Sequence, residues 1–515
     1  MSSQDSKIIT VFQQRRQIEQ AIKALSETNS EEELIQRAAE IAQHGEVVLP
    51  ALLAQLGTAD PQLRGGLAHI ARMLPREKVV PALRAAARDR TRSDRERMTA
   101  MTILERFLGE ELGPEFFEGL ADPHTLALES LREALSEIRD DPQVLVEYLT
   151  QLEQEPVEAA LMIIDATRRV SPDDVVELLR MLAMDPRPRV ARHALQQLGG
   201  LRISAALVAL RSLLPHLPED LKSLAERSLR KLRLSGVPES SLEASAWRAL
   251  LSPIDSEGYQ SLWFIRSSPE EEEGLFVSVL LHDQTGIQYA LGDERLPFTQ
   301  PMREQAIGTV HLLRMPQMGM IALLLEVPFD EGRRILAEGL TVHLREGRPL
   351  PMPYRFYSGH IWAIPWSPEE VPLVSPDTPA EDWPLEYSRR LLEHPAFSAW
   401  GVQRPWVYDI AEALIHEHGG WPDDEAIRDT ACEIAGRAFT DEAVGLMAQR
   451  LHRMGQWLHL AGEMELAGLA IWTAAHLHDA PPASHPFLLG VAKAGLRSAM
   501  LNLKQGIDPR RPPAR

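Results

Sequence analysis

The sequence predicts a mainly α protein, in which a solenoid of paired helices leads into a small α+β unit and then a C-terminal helical domain. Three observations carry this expectation. First, a phrase recurs: Glu46-Val47-Val48-Leu49-Pro50-Ala51-Leu52 is followed about 31 residues later by Glu77-Lys78-Val79-Val80-Pro81-Ala82-Leu83 and echoed by Asp173-Asp174-Val175-Val176-Glu177-Leu178-Leu179. Second, an aspartate–proline turn recurs with it, at Asp60-Pro61, Asp122-Pro123 and Asp185-Pro186, each opening an apolar run of helical spacing. A period of roughly 30–35 residues marks a helical solenoid, whose units cannot bury their apolar stripes alone and must stack. Third, this pattern stops at Gly236-Val237-Pro238, and the next stretches alternate with the period of a strand.

Taken in order, residues 1–30 read as one lead-in helix, with Ile8, Val11, Phe12, Ile18, Ile22 and Leu25 at helical spacing. Ser30 and Glu33 form a capping-box pattern for the next helix. Paired helices are then expected over 34–43 with 47–56, 63–74 with 79–87, and 98–108 with a short helix from Gly113-Pro114 to Leu120. The scheme continues over 126–138, 144–152, 157–168, 175–183, 190–198, 203–214 and 221–234. Pro50 and Pro81 are placed in first helical turns, where a missing N–H has no intrahelical partner to lose. Beyond the joint, 260–266 and 275–281 read as a hairpin with the charged tip Glu270–Glu273, and 287–291 as a third extended piece. Residues 302–313 and 329–345 read as helices, whereas 320–327 fits a buried strand or a helix equally well. A proline-rich acidic joint over 365–384 precedes a second helical region, with helices at 383–392, 407–416, 425–438, 443–460, 464–477 and 488–503. The expected domains are therefore 1–240, 246–366 and 380–506, with a flexible tail at 507–515.

The repeats resemble the HEAT-repeat family over about residues 30–235. The resemblance rests on Asp60-Pro61-Gln62-Leu63-Arg64 with Ala68, on Asp94 with Ala100 and Leu104, and on Asp185-Pro186-Arg187-Pro188-Arg189-Val190 with Ala194-Leu195. It implies a ladder between neighbouring repeats built from the Asp-Pro turn and a following arginine. Arg64 stands in that place, and in the third copy Ala191 takes the arginine position with Arg189 and Arg192 beside it. The resemblance bears on fold and not on a specific function, since a solenoid hosts many unrelated roles; binding of a partner is the style of function that the repeat period suggests.

The formal net charge of −20 argues against general nucleic-acid binding, which needs a basic surface. By count, residues 1–240 carry about 31 basic and 37 acidic side chains and the remainder about 23 and 37, so the acidity is concentrated after the repeats. The polar start, the single Cys432 and the absence of an apolar run near 20 residues lead to the expectation of a soluble cytoplasmic protein.

The sharpest charge feature is the series Arg84, Arg88, Arg90, Arg92, Arg95 and Arg97, interleaved with Asp89, Asp94 and Glu96. Arginines in such a run grip phosphate or carboxylate, or else pair with their own acidic neighbours. Inner helices over 79–87 and 175–183 are expected to carry the binding surface, which makes Arg84, Arg88, Arg90, Arg92 and Arg180 the candidate partner-binding residues. His452, His459 and Glu463 share a helix face, but their spacing departs from the i, i+4 histidine pair of helical zinc sites, so no metal site is assigned. Asp255, Glu257, His282 and Asp283 lie at turns, where aspartate and glycine need no chemistry to explain them. The aromatic segment Tyr354, Phe356, Tyr357, Trp362 and Trp366 reads as packing between domains. No phosphate-binding loop, dinucleotide fingerprint or Gly-x-Ser-x-Gly appears, and no catalytic residue or cofactor is assigned. The expectation is a non-catalytic adaptor that binds a protein partner through the solenoid, with no membrane contact. A HEAT-scaffolded enzyme such as a bilin lyase is the second reading, and a nucleic-acid binder of the HEAT-like glycosylase kind the third.

Overall fold

A computed structural model describes residues 17–28, 31–58, 60–117, 123–239, 247–266, 273–297, 306–315, 320–366 and 383–511. The described chain is mainly helical, with one antiparallel six-stranded sheet between two helical regions in the sequence. It divides into two compact units: residues 1–210 with 224–238, and residues 211–223 with 239–515. No helix among the described residues is long and apolar enough to cross a membrane.

In the first unit the helices are α1 (Glu31–Ala42), α2 (Leu49–Ala54), α3 (Pro61–Met73), α4 (Arg76–Arg88), α5 (Asp94–Thr102), α6 (Pro123–Asp140), α7 (Val144–Gln154), α8 (Val157–Ala166), α9 (Pro172–Leu182) and α10 (Pro188–Leu198). Two further helices, α11 (Ser204–Leu213) and α12 (Glu219–Leu234), span the division between the units. Ile18, Ile22 and Leu25 of the lead-in segment are buried, while Ser30 of the expected capping box lies outside the described residues. Asp60 caps α3 through the Leu63 N–H (3.0 Å), because an aspartate just outside the helix supplies the acceptor that the first turn lacks. Pro81 sits inside α4 and not in its first turn, since the helix begins at Arg76 on the Pro75 carbonyl. The tolerated loss is one hydrogen bond to an early carbonyl. The expected helix over 98–108 is α5 followed by a π turn, Ile103–Phe107, which Leu108 closes on the Ile103 carbonyl.

Helices pack on their next neighbour but one, α1 on α3, α2 on α4, α6 on α8 and α8 on α10, as well as on adjacent ones such as α4 on α5 and α9 on α10. Side-chain hydrogen bonds repeat that spacing. Gln62 reaches Thr28 and Arg76 reaches Glu110, each 34 residues away, Arg139 reaches Asp174 (35), and Arg189 reaches Glu158 (31). Arg187 holds Asp185 through two hydrogen bonds and also donates to the Glu155 carbonyl (2.8 Å), 32 residues back. Arg92 donates likewise to the Leu53 carbonyl (3.1 Å). Both arginines thus satisfy carbonyls at the C-terminal end of an earlier helix, where no intrahelical donor exists.

The second unit is built on the strand order β4-β3-β2-β1-β6-β5, from β1 (Trp247–Leu251), β2 (Tyr259–Arg266), β3 (Glu273–His282), β4 (Gly286–Pro297), β5 (Val310–Met315) and β6 (Met320–Val327). The helical reading of 302–313 is overturned for its C-terminal part: Val310–Met315 pairs with β6 from Val310↔Leu325 to Met315↔Met320, and 302–305 lie outside the described residues. The short apolar run had no flanking signal to separate strand from helix, and only its cross-strand partner decides. The same pairing makes 320–327 a strand. Helix α13 (Phe329–Glu346) lies on one sheet face at Gly332, where a Cβ would come within 2.7 Å of the Ala249 methyl. Across the sheet, Arg248 of β1 donates twice to Glu326 of β6 (2.7 and 2.8 Å), and His311 of β5 meets the same carboxylate at 2.9 Å, all three buried.

The aromatic segment is helix α14 (Met352–Trp362). Its Tyr357 donates to the Gly292 carbonyl of β4, while the Tyr354 hydroxyl sits 3.0 Å from His216 and accepts from Trp362 Nε1 at 3.1 Å. The C-terminal helices α15 (Pro405–Glu417), α16 (Asp424–Ala438), α17 (Asp441–Leu460), α18 (Met464–Ala475) and α19 (Pro486–Lys504) follow, and residues 385–393 form a 3-10 helix, not the expected α-helix. The backbone at Gly401 and Val402 crosses α19 at Gly495, whose Cβ would lie 2.5 Å from the Val402 nitrogen. Arg450 of α17 clamps Asp283 (2.7 and 3.1 Å) and the Ser256 carbonyl, and Trp457 and Trp400 donate to the Leu251 and Ile254 carbonyls. Within the expected tail, Arg510 bonds Asp508, Asp409 and Glu412.

Candidate functional site

The α4–α5 corner and the cavity beside it form the candidate site, both within the first unit. The corner is fixed by local chemistry. Asp89 accepts from the Thr91 N–H and hydroxyl (3.0 and 2.6 Å), and these bonds hold its carboxyl below the usual range. Ser93 and Glu96 form a reciprocal capping box at the start of α5, and the Ser93 backbone N–H lowers the Glu96 pKa. Arg97 is buried and threads through the corner, donating to the Ala87 carbonyl (3.0 Å) and the Phe116 carbonyl (2.9 Å).

On this frame the expected arginines are distributed unequally. Arg84 donates to Glu110 at 2.6 Å, and together with Arg76 it lowers that carboxyl's pKa. Arg88 is exposed, pairs with Glu115 at 3.1 Å and stands 4.4 Å from the Phe116 ring centre. Arg92 is turned inward to Leu53 and Glu96, whereas Arg90 and Arg95 are exposed. The assignment of Arg180 to the surface is overturned. Its side chain is 1 % exposed and bonded to Glu177 one turn earlier on α9. The periodicity placed residue 180 among polar positions, but α9 buries it together with Leu178, Leu179, Met181 and Leu182. A salt-bridged arginine with an apolar stem is compatible with that environment.

The cavity was not legible in the sequence. It measures about 330 Å³ and is lined by Asp94 and Met98 of α5, Ala127 and Ser130 of α6, Tyr148, Gln151, Leu152 and Glu155 around α7, and Ala159, Met162 and Ile163 of α8. Met98, one of its lining residues, also packs against the buried apolar cluster that includes residues from Ile18 to Phe116. One of its polar atoms, the buried Tyr148 hydroxyl, has no hydrogen-bond partner within bonding distance and angle among the described residues; burial raises its pKa, opposed more weakly by the Ser130 side chain. Burial also raises the Glu155 carboxyl, against the opposing charges of Arg64, Arg106 and Arg187. Close by, Glu105 of the π turn accepts from the Val157 N–H (3.3 Å), and burial and Glu158 raise its pKa.

No family model, curated protein or solved structure matches this chain. The site's own geometry therefore has to carry the functional reading.

Elsewhere, the turn residues serve the second unit's framework. Asp255 accepts from the N–H groups of Glu257, Gly258 and Tyr259 (2.9, 2.8 and 2.8 Å), although burial is the larger influence and raises its pKa. Asp283 belongs to Arg450. His452 is exposed and bonds the Ala448 carbonyl of its own helix. Among the described residues no group of three or more His, Cys, Asp or Glu side chains is arranged to hold a metal ion.

Proposed function

We propose that this chain is a non-catalytic adaptor whose first unit is a HEAT-like stack of helix pairs that grips an acidic segment of a protein partner at the α4–α5 corner. The observation that carries the reading is the recurrence of cross-helix hydrogen bonds one sequence period apart, from Gln62–Thr28 through Arg189–Glu158. Such register between neighbours is what a stack of similar units requires, and stacked units offer an extended surface for a partner. The corner supplies guanidinium groups on a frame ordered before any partner arrives, which limits the entropy lost on binding. Arg88, Arg90 and Arg95 are the exposed members, with Arg84 and Arg92 flanking them. A carboxylate-bearing partner would compete with Glu115 for Arg88, an exchange that screening by salt weakens. With a net charge of −20, nucleic acid is the poorer ligand class. A cytoplasmic setting suits a chain with one cysteine and no disulfide to form.

The test is capture of a saturable partner by the intact protein, compared with Arg88→Glu/Arg90→Glu and with Arg227→Glu as an exposed control. The reading expects a partner lost in the double variant and in high salt but kept by the control. Equal capture by all three removes the corner, and the lack of any saturable protein partner removes the adaptor.

A further inference from the structure

The cavity beside the corner has a chemistry that the partner reading does not use. Its floor is apolar, made by Met98, Ala127, Leu152, Ala159, Met162 and Ile163. The polar members of its wall are two carboxylates, Asp94 and Glu155, with the neutral Ser130, Tyr148 and Gln151, and no lysine or arginine lines it among the described residues. Its size falls at the lower end for small-molecule sites, and a mostly apolar wall with a few convergent polar groups is their usual composition.

We propose that this cavity binds a small organic ammonium group carried on a short apolar stem. The stem would replace water against the methionines and alanines, whose burial is favourable in proportion to the area covered. The ammonium would donate to the Glu155 carboxylate and to the Tyr148 oxygen, which otherwise has no partner. A buried polar atom left unmatched costs free energy that a ligand can recover.

Three arginines act on Glu155 from outside the wall. Arg187 is already held by Asp185 and by the Leu152 and Glu155 carbonyls, and Asp185, Glu153 and Glu155 lie within electrostatic reach of Arg106. Arg64 adds a third positive charge. Even with all three, desolvation is the larger influence on Glu155, so its carboxylate is not fully compensated. An anionic head would meet Asp94 and Glu155 with no cation in the wall, and is disfavoured. The site is independent of the adaptor reading, because its ligand is not a protein surface.

The experiment is calorimetric titration of the intact protein with hexylamine, hexanol and hexanoate, which share one stem. The expected order is amine over alcohol over carboxylate, with hexanoate at least about ten-fold weaker than hexylamine, the size of one lost charge-assisted hydrogen bond. Ala159→Phe should fill the cavity and abolish saturable binding while circular dichroism stays unchanged. Should that variant fail to fold, Glu155→Gln decides, since it must erase the preference for amine over alcohol. Hexanoate binding as tightly as hexylamine, amine binding that survives a folded Ala159→Phe, or an amine preference that survives Glu155→Gln would each overturn the site.

Discussion

The two units are held together by contacts of different reach. In the first, side-chain hydrogen bonds between helices mostly join residues 26 to 39 positions apart, as in Arg84–Glu110 and Arg92–Leu53. In the second, the ties from the sheet and its turns to the C-terminal region span 143 to 206 positions, as in Ser256–Ala399 and Trp457–Leu251. Contacts of short reach form at a small loop-closure cost and can be lost one at a time, whereas distant ones bind a whole region into one cooperative element. The difference predicts graded damage in the first unit and collective damage in the second. The chain provides separate reporters, because all ten tryptophans lie between Trp247 and Trp472 while Tyr148 is the one tyrosine before residue 240.

The largest effect is expected at Arg450. Arg450→Ala leaves the buried Asp283 carboxylate without its partner, which typically costs about 3–5 kcal/mol. Urea unfolding followed by tryptophan emission should show this loss as a single shifted transition. A separate early transition instead would mean that the sheet and C-terminal helices do not unfold together.

Arg97→Met is next. It strands the Ala87 and Phe116 carbonyls in a buried corner and should cost about 1–3 kcal/mol. Far-UV circular dichroism should register the loss while tryptophan emission barely moves. Equal response of both signals would mean that the loss is not confined to the first unit.

A smaller, pH-dependent effect belongs to the C-terminal helices, where histidines serve as caps. His485 Nδ1 accepts from the Phe487 and Leu488 N–H groups at the start of α19, and His394 accepts from Ala396. Burial lowers both imidazole pKa values. The folded state therefore holds these rings neutral while the unfolded chain takes up protons near pH 6.5, the ordinary histidine value. Stability is full above that pH and declines below it, by at most about 1.4 kcal/mol per unit for each ring, until the folded pKa is reached. His485→Asn keeps an acceptor at the cap and should flatten the decline, measured as the urea midpoint from pH 7.5 to 5. An unchanged slope would show that His485 is not responsible.

The smallest effect is Tyr148→Phe, which removes a hydroxyl that has no hydrogen bond to lose. Stability should hold within about 1 kcal/mol. A larger loss, read by far-UV circular dichroism, would mean that the hydroxyl has a partner.

Much of the first unit was legible because its information is periodic. Asp60, Pro61 and Asp94 announce helix starts within a few residues of where they occur, and the apolar spacing after each one names the buried side. The strand Val310–Met315 and helix α14 were not legible in the same way. One is identified by its pairing with β6, and the other is an aromatic stretch whose periodicity was masked by residues buried all round it. At the site, the sequence located the arginines and their acidic neighbours but not which were exposed. Arg90 and Arg180 look alike in a list of basic residues, yet one is exposed and the other lies on the buried side of α9.

What the sequence determined by itself is most of the helices of the first unit and their order, since caps, proline positions and apolar spacing act over one or two turns. What only the tertiary structure decided is which partners those helices meet. The clamp of Arg450 on Asp283, the burial of Arg180 and the gap lined by Tyr148 and Glu155 all arise where distant segments come together. No local pattern encodes such meetings, because each depends on the packing of whole elements and not on the residues that flank it.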